Sequence, residues 1–349
     1  MSGWLLYGAT GYTGALIARE AVRRGLTPIL AGRNPAAVEA LGVELRLASR
    51  VIVLDDPAAI ASSLSDVSVV LNCAGPFSQT AEPMMQACLG ARAHYLDITG
   101  EIAVFERARA LDAEAKAAGI VLCPGVGFDV IPTDCVAAML KEALPGATEL
   151  SLGFDGPREM SRGTAKTMLE ELPAGGKIRR DGQIVSVPFG YGRRTIDFGR
   201  GNTPAIAVPW GDVSTAFYTT GIANIVVYTG VTPGQLRSIG LLNAFRGTLR
   251  WPAVRGYLER RIEKRVKGPS EATRASGDMF VWGRVLDARG AGSTIRIKTA
   301  SAYALTVTGA LGVVQRLIEN PAPPGSTTPA LLMGSRYVLD LPGTEVLAG

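Results

Sequence analysis

From the first residues to about position 145, short apolar runs alternate with stretches in which apolar residues recur every three or four positions. The runs 4–7, 28–31, 51–54, 67–72, 95–98 and 120–123 are short and almost continuously apolar, the pattern of strands buried on both faces. Between them, 14–24, 36–42, 57–64, 81–89, 103–117 and 132–144 carry the helical period. Gly25, Gly90 and Gly119 stand where left-handed helix ends are expected. Strict alternation of strand and helix predicts a parallel, doubly wound α/β sheet, and six strands complete a Rossmann-type domain.

After about residue 146 the pattern changes. Strands are expected at 150–154, 177–180, 183–187, 195–198, 206–208, 224–228, 279–288 and 293–299, several of them consecutive. Asp181-Gly182 and Arg289-Gly290-Ala291-Gly292 read as hairpin turns. Helices are expected at 164–172, 213–221, 233–249, 253–267 and 302–319. Segregated strands and helices predict an α+β domain with a mostly antiparallel sheet. A proline-rich stretch, 320–324, then leads to a helix at 329–339 that is expected to return to the first domain. The resulting division is 1–145 for cofactor binding, 146–322 for substrate and any homodimer contact, and 323–349 for the returning segment.

Composition narrows the chemistry. The 349 residues are 47% hydrophobic and 19% charged, which suits a large buried core. A single histidine, His94, excludes any metal site that needs two imidazoles, and no metal is expected. Cys73, Cys88, Cys123 and Cys135 have no metal-ligand or redox spacing and read as reduced core residues of a cytoplasmic protein. The amino terminus runs directly into the first strand, leaving no room for a signal core.

Gly8-Ala9-Thr10-Gly11-Tyr12-Thr13-Gly14 follows the first strand and opens the first helix. In that position Gly8 makes the turn, Gly11 bares backbone to a pyrophosphate, and Gly14 lets the helix lie close to the sheet. The second strand ends in Ala31-Gly32-Arg33-Asn34, without the acidic residue that bonds the ribose 2′-hydroxyl of NAD. Arg33 instead suits a 2′-phosphate, so the expected cofactor is NADP(H). Asp55-Asp56 ends the third strand, either beside the adenine or as a helix cap. Asn72, Ala74, Gly75 and Pro76 end the fourth strand, on the nicotinamide side, with Phe77 facing substrate.

In the fifth strand Tyr95, Asp97 and Thr99 share a face by period two, and Tyr95 and Asp97 are the candidate proton donors. Glu101 suits the first turn of the helix that follows, and His94 reads as structural. Phe128 and Asp129 follow the sixth strand and are expected beside substrate or as helix-capping residues. Arg162, Thr164 and Asp212, from the second domain, are further candidates for the substrate cleft between the domains, Asp212 alternatively as a helix N-cap. No tyrosine is followed by lysine in Tyr-x-x-x-Lys spacing, which excludes the tyrosine–lysine pair of common short-chain dehydrogenases.

Gly8 to Gly14, Ala31-Gly32-Arg33, Asn72-Cys73-Ala74-Gly75-Pro76-Phe77, Tyr95-Leu96-Asp97-Ile98-Thr99-Gly100-Glu101 and Gly127-Phe128-Asp129-Val130-Ile131-Pro132-Thr133-Asp134 resemble successive signatures of the saccharopine dehydrogenase-like oxidoreductases. Thr328-Pro329-Ala330 and Gly334 resemble that family's C-terminal return. The resemblance covers the first domain closely and the second loosely. It implies an NADP(H)-dependent reductase acting on C=N, C=O or activated C=C, with saccharopine reductases and trans-acting enoyl reductases as branches. The chain looks shorter than either branch, and the shortening falls in the second domain, so saccharopine itself does not follow.

The net charge of +5 is local. Between residues 244 and 267, Arg246, Arg250, Arg255, Arg260, Arg261, Lys264, Arg265 and Lys267 face only Glu259 and Glu263, a surplus of +6. Val254, Leu258, Ile262 and Val266 at steps of four make 253–267 an amphipathic helix with a cationic outer face. It reads as a solvated face, a site for an anionic membrane surface, or a site for an acyl carrier protein. No nucleic-acid motif accompanies it. The alternative to an enzyme is a non-catalytic NADP-binding or membrane-peripheral protein that uses this helix.

Overall fold

A computed structural model describes residues 3–157, 165, 166, 169, 173, 175–245, 247, 248, 251–266 and 277–348. The chain forms two compact units, Met1–Ile131 with Tyr303–Met333, and Pro132–Ala302 with Gly334–Gly349.

The first unit begins with β1 (Gly3–Tyr7), α1 (Tyr12–Arg23), β2 (Ile29–Gly32), α2 (Pro35–Leu45), β3 (Ser49–Val51) and α3 (Pro57–Ser63). It continues through β4 (Val67–Asn72), α4 (Phe77–Ala91), β5 (His94–Asp97), α5 (Ile102–Ala110), α6 (Asp112–Ala118) and β6 (Val121–Cys123). Leu5, Leu6, Val69, Val70, Leu71, Leu96, Val121 and Leu122 are wholly buried, as expected of parallel strands covered on both faces. Asn34 caps α2 by accepting from Ala37 N at 3.2 Å, and Asp56 caps α3 by accepting from Ala58 N at 2.9 Å. Gly119 ends α6 in the left-handed region, as the sequence pattern implies. Gly90 does not end α4. That helix runs on to Ala91, and Gly90 lies where a Cβ would come within 3.3 Å of Ala61 Cβ, so it serves the contact with α3.

The second unit opens with α7 (Ile131–Ala143), β7 (Ala147–Asp155), β8 (Gly176–Arg180), β9 (Gln183–Val187), β10 (Arg194–Asp197) and β11 (Asn202–Ala207). Then come α8 (Asp212–Thr220), β12 (Asn224–Gly230), α9 (Pro233–Phe245), α10 (Pro252–Arg265), β13 (Met279–Asp287) and β14 (Gly292–Thr299). Its sheet runs β10-β11-β12-β7-β13-β14, with β8 and β9 paired off β12. Only β12 with β7 is parallel, so the sheet is mixed and mostly antiparallel. Asp181 and Gly182 both take positive φ (49° and 77°), the conformation a two-residue hairpin needs.

The last part of the chain divides differently from the 146–322 and 323–349 boundaries. α11 (Ala302–Glu319), β15 (Gly325–Ser326) and α12 (Pro329–Met333) lie in the first unit apart from the first residue of α11. β15 adds a parallel strand beside β6, which gives the order β15-β6-β5-β4-β1-β2-β3. The helix expected at 329–339 is broken at Gly334 (φ 95°), and β16 (Glu345–Val346) pairs with β14 in the second unit.

The three glycines of the β1–α1 turn are crowded unequally. A Cβ at Gly14 would lie 2.3 Å from the Gly8 carbonyl oxygen, whereas one at Gly11, where φ is −71°, would meet only that oxygen, at 3.2 Å. Gly14→Ala should therefore lower stability in urea unfolding by about 1–3 kcal/mol, and Gly11→Ala, whose Cβ makes a milder contact with the same oxygen, should lower it by less. Equal losses in the two variants would contradict this geometry.

Candidate functional site

Gly8 sits at φ 74°, and a Cβ there would lie 2.8 Å from Ala74 N and 2.9 Å from the Cys73 carbonyl carbon. The glycine turn is thus pressed against the β4–α4 loop, as expected where β1 and β4 mark the reversal of strand order. Gly8 N and Ala9 N both donate to Ala31 O, at 2.9 and 3.1 Å, which ties the turn to the end of β2. Gly11 is the N-cap of α1 and contributes no side-chain acceptor to its first turn. Thr10 and Gly11 are exposed, and Tyr12 and Thr13 are half-buried. Gly11 is exposed and bears no side chain over the first turn, so the bare backbone there suits a ligand phosphate at the positive end of α1.

Arg33 is exposed just beyond β2, and Asp55 is exposed beyond β3. Burial raises the pKa of Tyr7 at the end of β1, Arg33 lowers it and Asp55 raises it, so both charges stand around the Tyr7 phenol. The structure separates the two adjacent acids: Asp56 is the helix cap, and Asp55 is left exposed beyond β3, where its charge reaches the Tyr7 phenol.

Asn72 is wholly buried at the end of β4, paired in register with Tyr7 on one side and Asp97 on the other. Its Nδ2 donates to Thr80 Oγ1 (3.2 Å) and Tyr95 Oη (3.4 Å), and its Oδ1 accepts from Ala74 N (3.0 Å). The Gly75–Pro76 peptide is cis. Phe77, 8% exposed, opens α4, and the Glu101 carboxylate accepts from Phe77 N (2.8 Å) and Ser78 N (2.7 Å). Glu101 therefore does not serve the first turn of the helix that follows it; its charge closes the N-terminus of α4. Cys73 is no nucleophile: burial, and then Asp97, push its thiol pKa well up.

Tyr95 and Asp97, the candidate proton donors, are both wholly buried. Tyr95 Oη donates to Asp97 Oδ2 at 2.7 Å, while Asp97 Oδ1 accepts from Thr99 N (3.0 Å) and Gly125 N (2.9 Å). Burial raises the carboxyl to about 6 against these hydrogen bonds, and burial, followed by Asp97, drives the Tyr95 phenol far above its ordinary value. The pair braces three loops and presents no polar atom at the surface. His94 accepts from Val121 N at 2.9 Å and is held neutral by burial, in keeping with its structural reading.

On the β6–α7 loop, Asp129 differs from Asp97. It is partly exposed, abuts the β5–α5 loop so closely that a Cβ on Gly100 would lie 3.0 Å from its Oδ2, and is raised by burial to about 7. The neighbouring Phe128 is 5% exposed, and its N donates to Thr306 Oγ1 at 3.0 Å. Tyr303 packs edge-on against Tyr12 with ring centroids 5.1 Å apart. Both Tyr303 and Thr306 lie on α11, so the glycine turn and the β6–α7 loop are buttressed by a helix more than 170 residues away in sequence. Nothing in the local pattern flags them, because the tertiary return alone brings them here.

In the second unit Asp212 is the first residue of α8, wholly buried, and accepts from Thr133 Oγ1 at 2.8 Å. Gly211 holds the N-cap position, so the capping role expected of Asp212 is not its role. Asp134, likewise buried, accepts from Thr219 Oγ1 at 2.5 Å, and the two acids link α7 to α8. Arg162 and Thr164 lie outside the described residues. Among the described residues no group of acidic, histidine and cysteine side chains suits a metal ion.

Comparison with known proteins agrees with this geometry. Residues 4–123 match the family described as Saccharopine dehydrogenase NADP binding domain. A probable mitochondrial saccharopine dehydrogenase-like oxidoreductase of Arabidopsis thaliana is 32% identical over 150 residues, 37% of this chain and 32% of that protein. The human saccharopine dehydrogenase-like oxidoreductase is 32% identical over 163 residues, 41% and 38% of the two chains. A trans-acting enoyl reductase of Mycobacterium ulcerans is 33% identical over 138 residues, 37% and 33%. The matched segments thus span between 32% and 38% of these relatives' lengths. The apo saccharopine dehydrogenase (L-Glu forming) of Saccharomyces cerevisiae shares the fold over 94% of both chains, with a TM-score of 0.59 at 12% identity. Residues 4–123 match the saccharopine dehydrogenase NADP-binding family, and over that part the chain is similar to saccharopine dehydrogenase-like oxidoreductases.

Proposed function

We propose that this chain is an NADP(H)-dependent oxidoreductase that reduces a polar or activated double bond, C=N, C=O or conjugated C=C. The observation that carries the reading is the pairing of an exposed Arg33 at the end of β2 with an exposed Gly11 that bares backbone at the start of α1. Arg33 would hold the 2′-phosphate by a charge-assisted fork, Gly11 and the first turn of α1 the pyrophosphate, and Asp55 would stand near the adenine. When bound, NADPH supplies the hydride.

The remaining requirement is a proton for the atom that gains charge as the hydride arrives. Asp129 is assigned this role because it stands on the β6–α7 loop, in a residue that is partly exposed, and a carboxyl raised to about 7 is part acid and part base at neutral pH. Tyr95 and Asp97 act behind it as positioning residues, through the loops they join. Four free cysteines support a reducing, cytoplasmic setting.

Arg33→Ala should weaken NADPH binding about ten- to a hundredfold in a fluorescence titration and leave NADH binding unchanged. Unchanged NADPH affinity would remove the basis for the cofactor assignment. Asp129→Asn should lower kcat by on the order of a hundredfold and abolish the inflection near pH 7 in the rate profile. The same group provides a stability test. Its folded value of about 7 lies above the ordinary 3.8, so the native state holds the extra proton between these limits and loses stability as pH rises through them. Relative to the parent, Asp129→Asn should therefore gain thermal stability from pH 5 to pH 8. A constant difference between the two proteins across that range would contradict the assignment.

A further inference from the structure

The helix α10 (Pro252–Arg265) belongs to the second unit, whereas Gly8–Gly14 and Arg33 belong to the first. Val254, Leu258 and Ile262, at steps of four, are half-buried on its inner side. Tyr257, Arg260, Arg261, Lys264 and Arg265 fall at i, i+3, i+4, i+7 and i+8, a single stripe, and all five are exposed. The helix's two acids are already engaged: Glu259 pairs with Arg255 at 2.8 Å, and Glu263 with Lys166 at 2.8 Å. Among the described residues, Arg260, Arg261, Lys264 and Arg265 have no ion-pair partner, so the stripe carries four uncompensated positive charges.

A second observation concerns the aromatics. Among the described residues only two aromatic side chains are more than half exposed, Trp251 at 63% and Tyr257 at 55%. One immediately precedes α10 and the other lies in its cationic stripe. One large exposed ring thus stands within the cationic stripe and another at the start of the same helix. This arrangement suits a boundary where rings rest at headgroup level and cations meet anionic lipid.

We infer that α10 is a peripheral docking surface for an anionic phospholipid membrane, with Arg260, Arg261, Lys264 and Arg265 meeting the headgroups and Trp251 and Tyr257 entering the interface. No helix among the described residues is long and apolar enough to cross a membrane, and the inference concerns adsorption to a surface. A lipid surface is favoured over an acidic protein because the stripe joins four positive charges to exposed aromatic rings, the pairing suited to headgroups and the interface beneath them.

The test is co-sedimentation of the full chain with phosphatidylcholine vesicles that contain or lack phosphatidylserine, at low and high salt. Binding is expected only with phosphatidylserine, weakened by salt. With each basic residue contributing roughly fivefold, the variant R260Q/R261Q/K264Q/R265Q should bind more than about a hundredfold more weakly, with unchanged helix content and NADPH affinity. Tryptophan emission should shift to the blue on phosphatidylserine vesicles, and this shift should shrink in Trp251→Ala. Equal binding to both vesicle types, or undiminished binding of the quadruple variant, would overturn the inference. So would binding to soluble polyglutamate but not to vesicles, which would assign the stripe to an acidic protein.

Discussion

A carboxylate with no exposed surface holds the ligand edge of the first sheet together. Asp97 accepts hydrogen bonds from Tyr95 Oη, Thr99 N and Gly125 N, and its own carbonyl accepts from Val126 N at 2.7 Å. Each of these donors would cost about 1–3 kcal/mol if left buried and unmade, so the acid is what permits the β5–α5 and β6–α7 loops to be buried at all. Tyr95 extends the network to Asn72, which orders the β4–α4 loop, and that loop in turn presses on Gly8. Four strand ends are therefore set by one chain of contacts, and the glycine turn is positioned by it rather than by its own sequence alone.

The two acids of this edge illustrate how surroundings divide labour between like groups. Asp97 is sealed and fully hydrogen-bonded, which offsets part of its burial and leaves it near 6. Asp129 lies in a residue that is partly exposed, and burial carries its carboxyl to about 7. A group that must exchange a proton with a ligand has to reach the surface; a group that must fix loops has to be enclosed.

What the sequence made legible was local. Six parallel strands, the glycine turn, Arg33 in place of an acid and the Asp181-Gly182 hairpin all follow from periodicity, turn chemistry or a single charge at a known offset. The misplacements share a different cause. Gly90 resembles a helix end because glycine favours one, but Ala61 on a neighbouring helix determines its role. Glu101 suits the first turn of its own helix by position, yet its carboxylate reaches the N-terminus of α4, and the burial of Tyr95 and Asp97 carries no local sequence signal. Tyr303 and Thr306 carry no local signal, since only the return of α11 to the first unit places them at the site. Contacts distant in sequence leave no trace in composition or spacing, and the site's support is made mostly of such contacts.

The most direct measurement is amide hydrogen exchange of the full chain with and without NADPH. If the carboxyl edge of the first sheet is the cofactor site, protection should rise over residues 8–14, 73–78 and 125–129, and little over the second unit's strands. Unchanged exchange in those three loops at saturating NADPH, or protection confined to the second unit, would contradict the account.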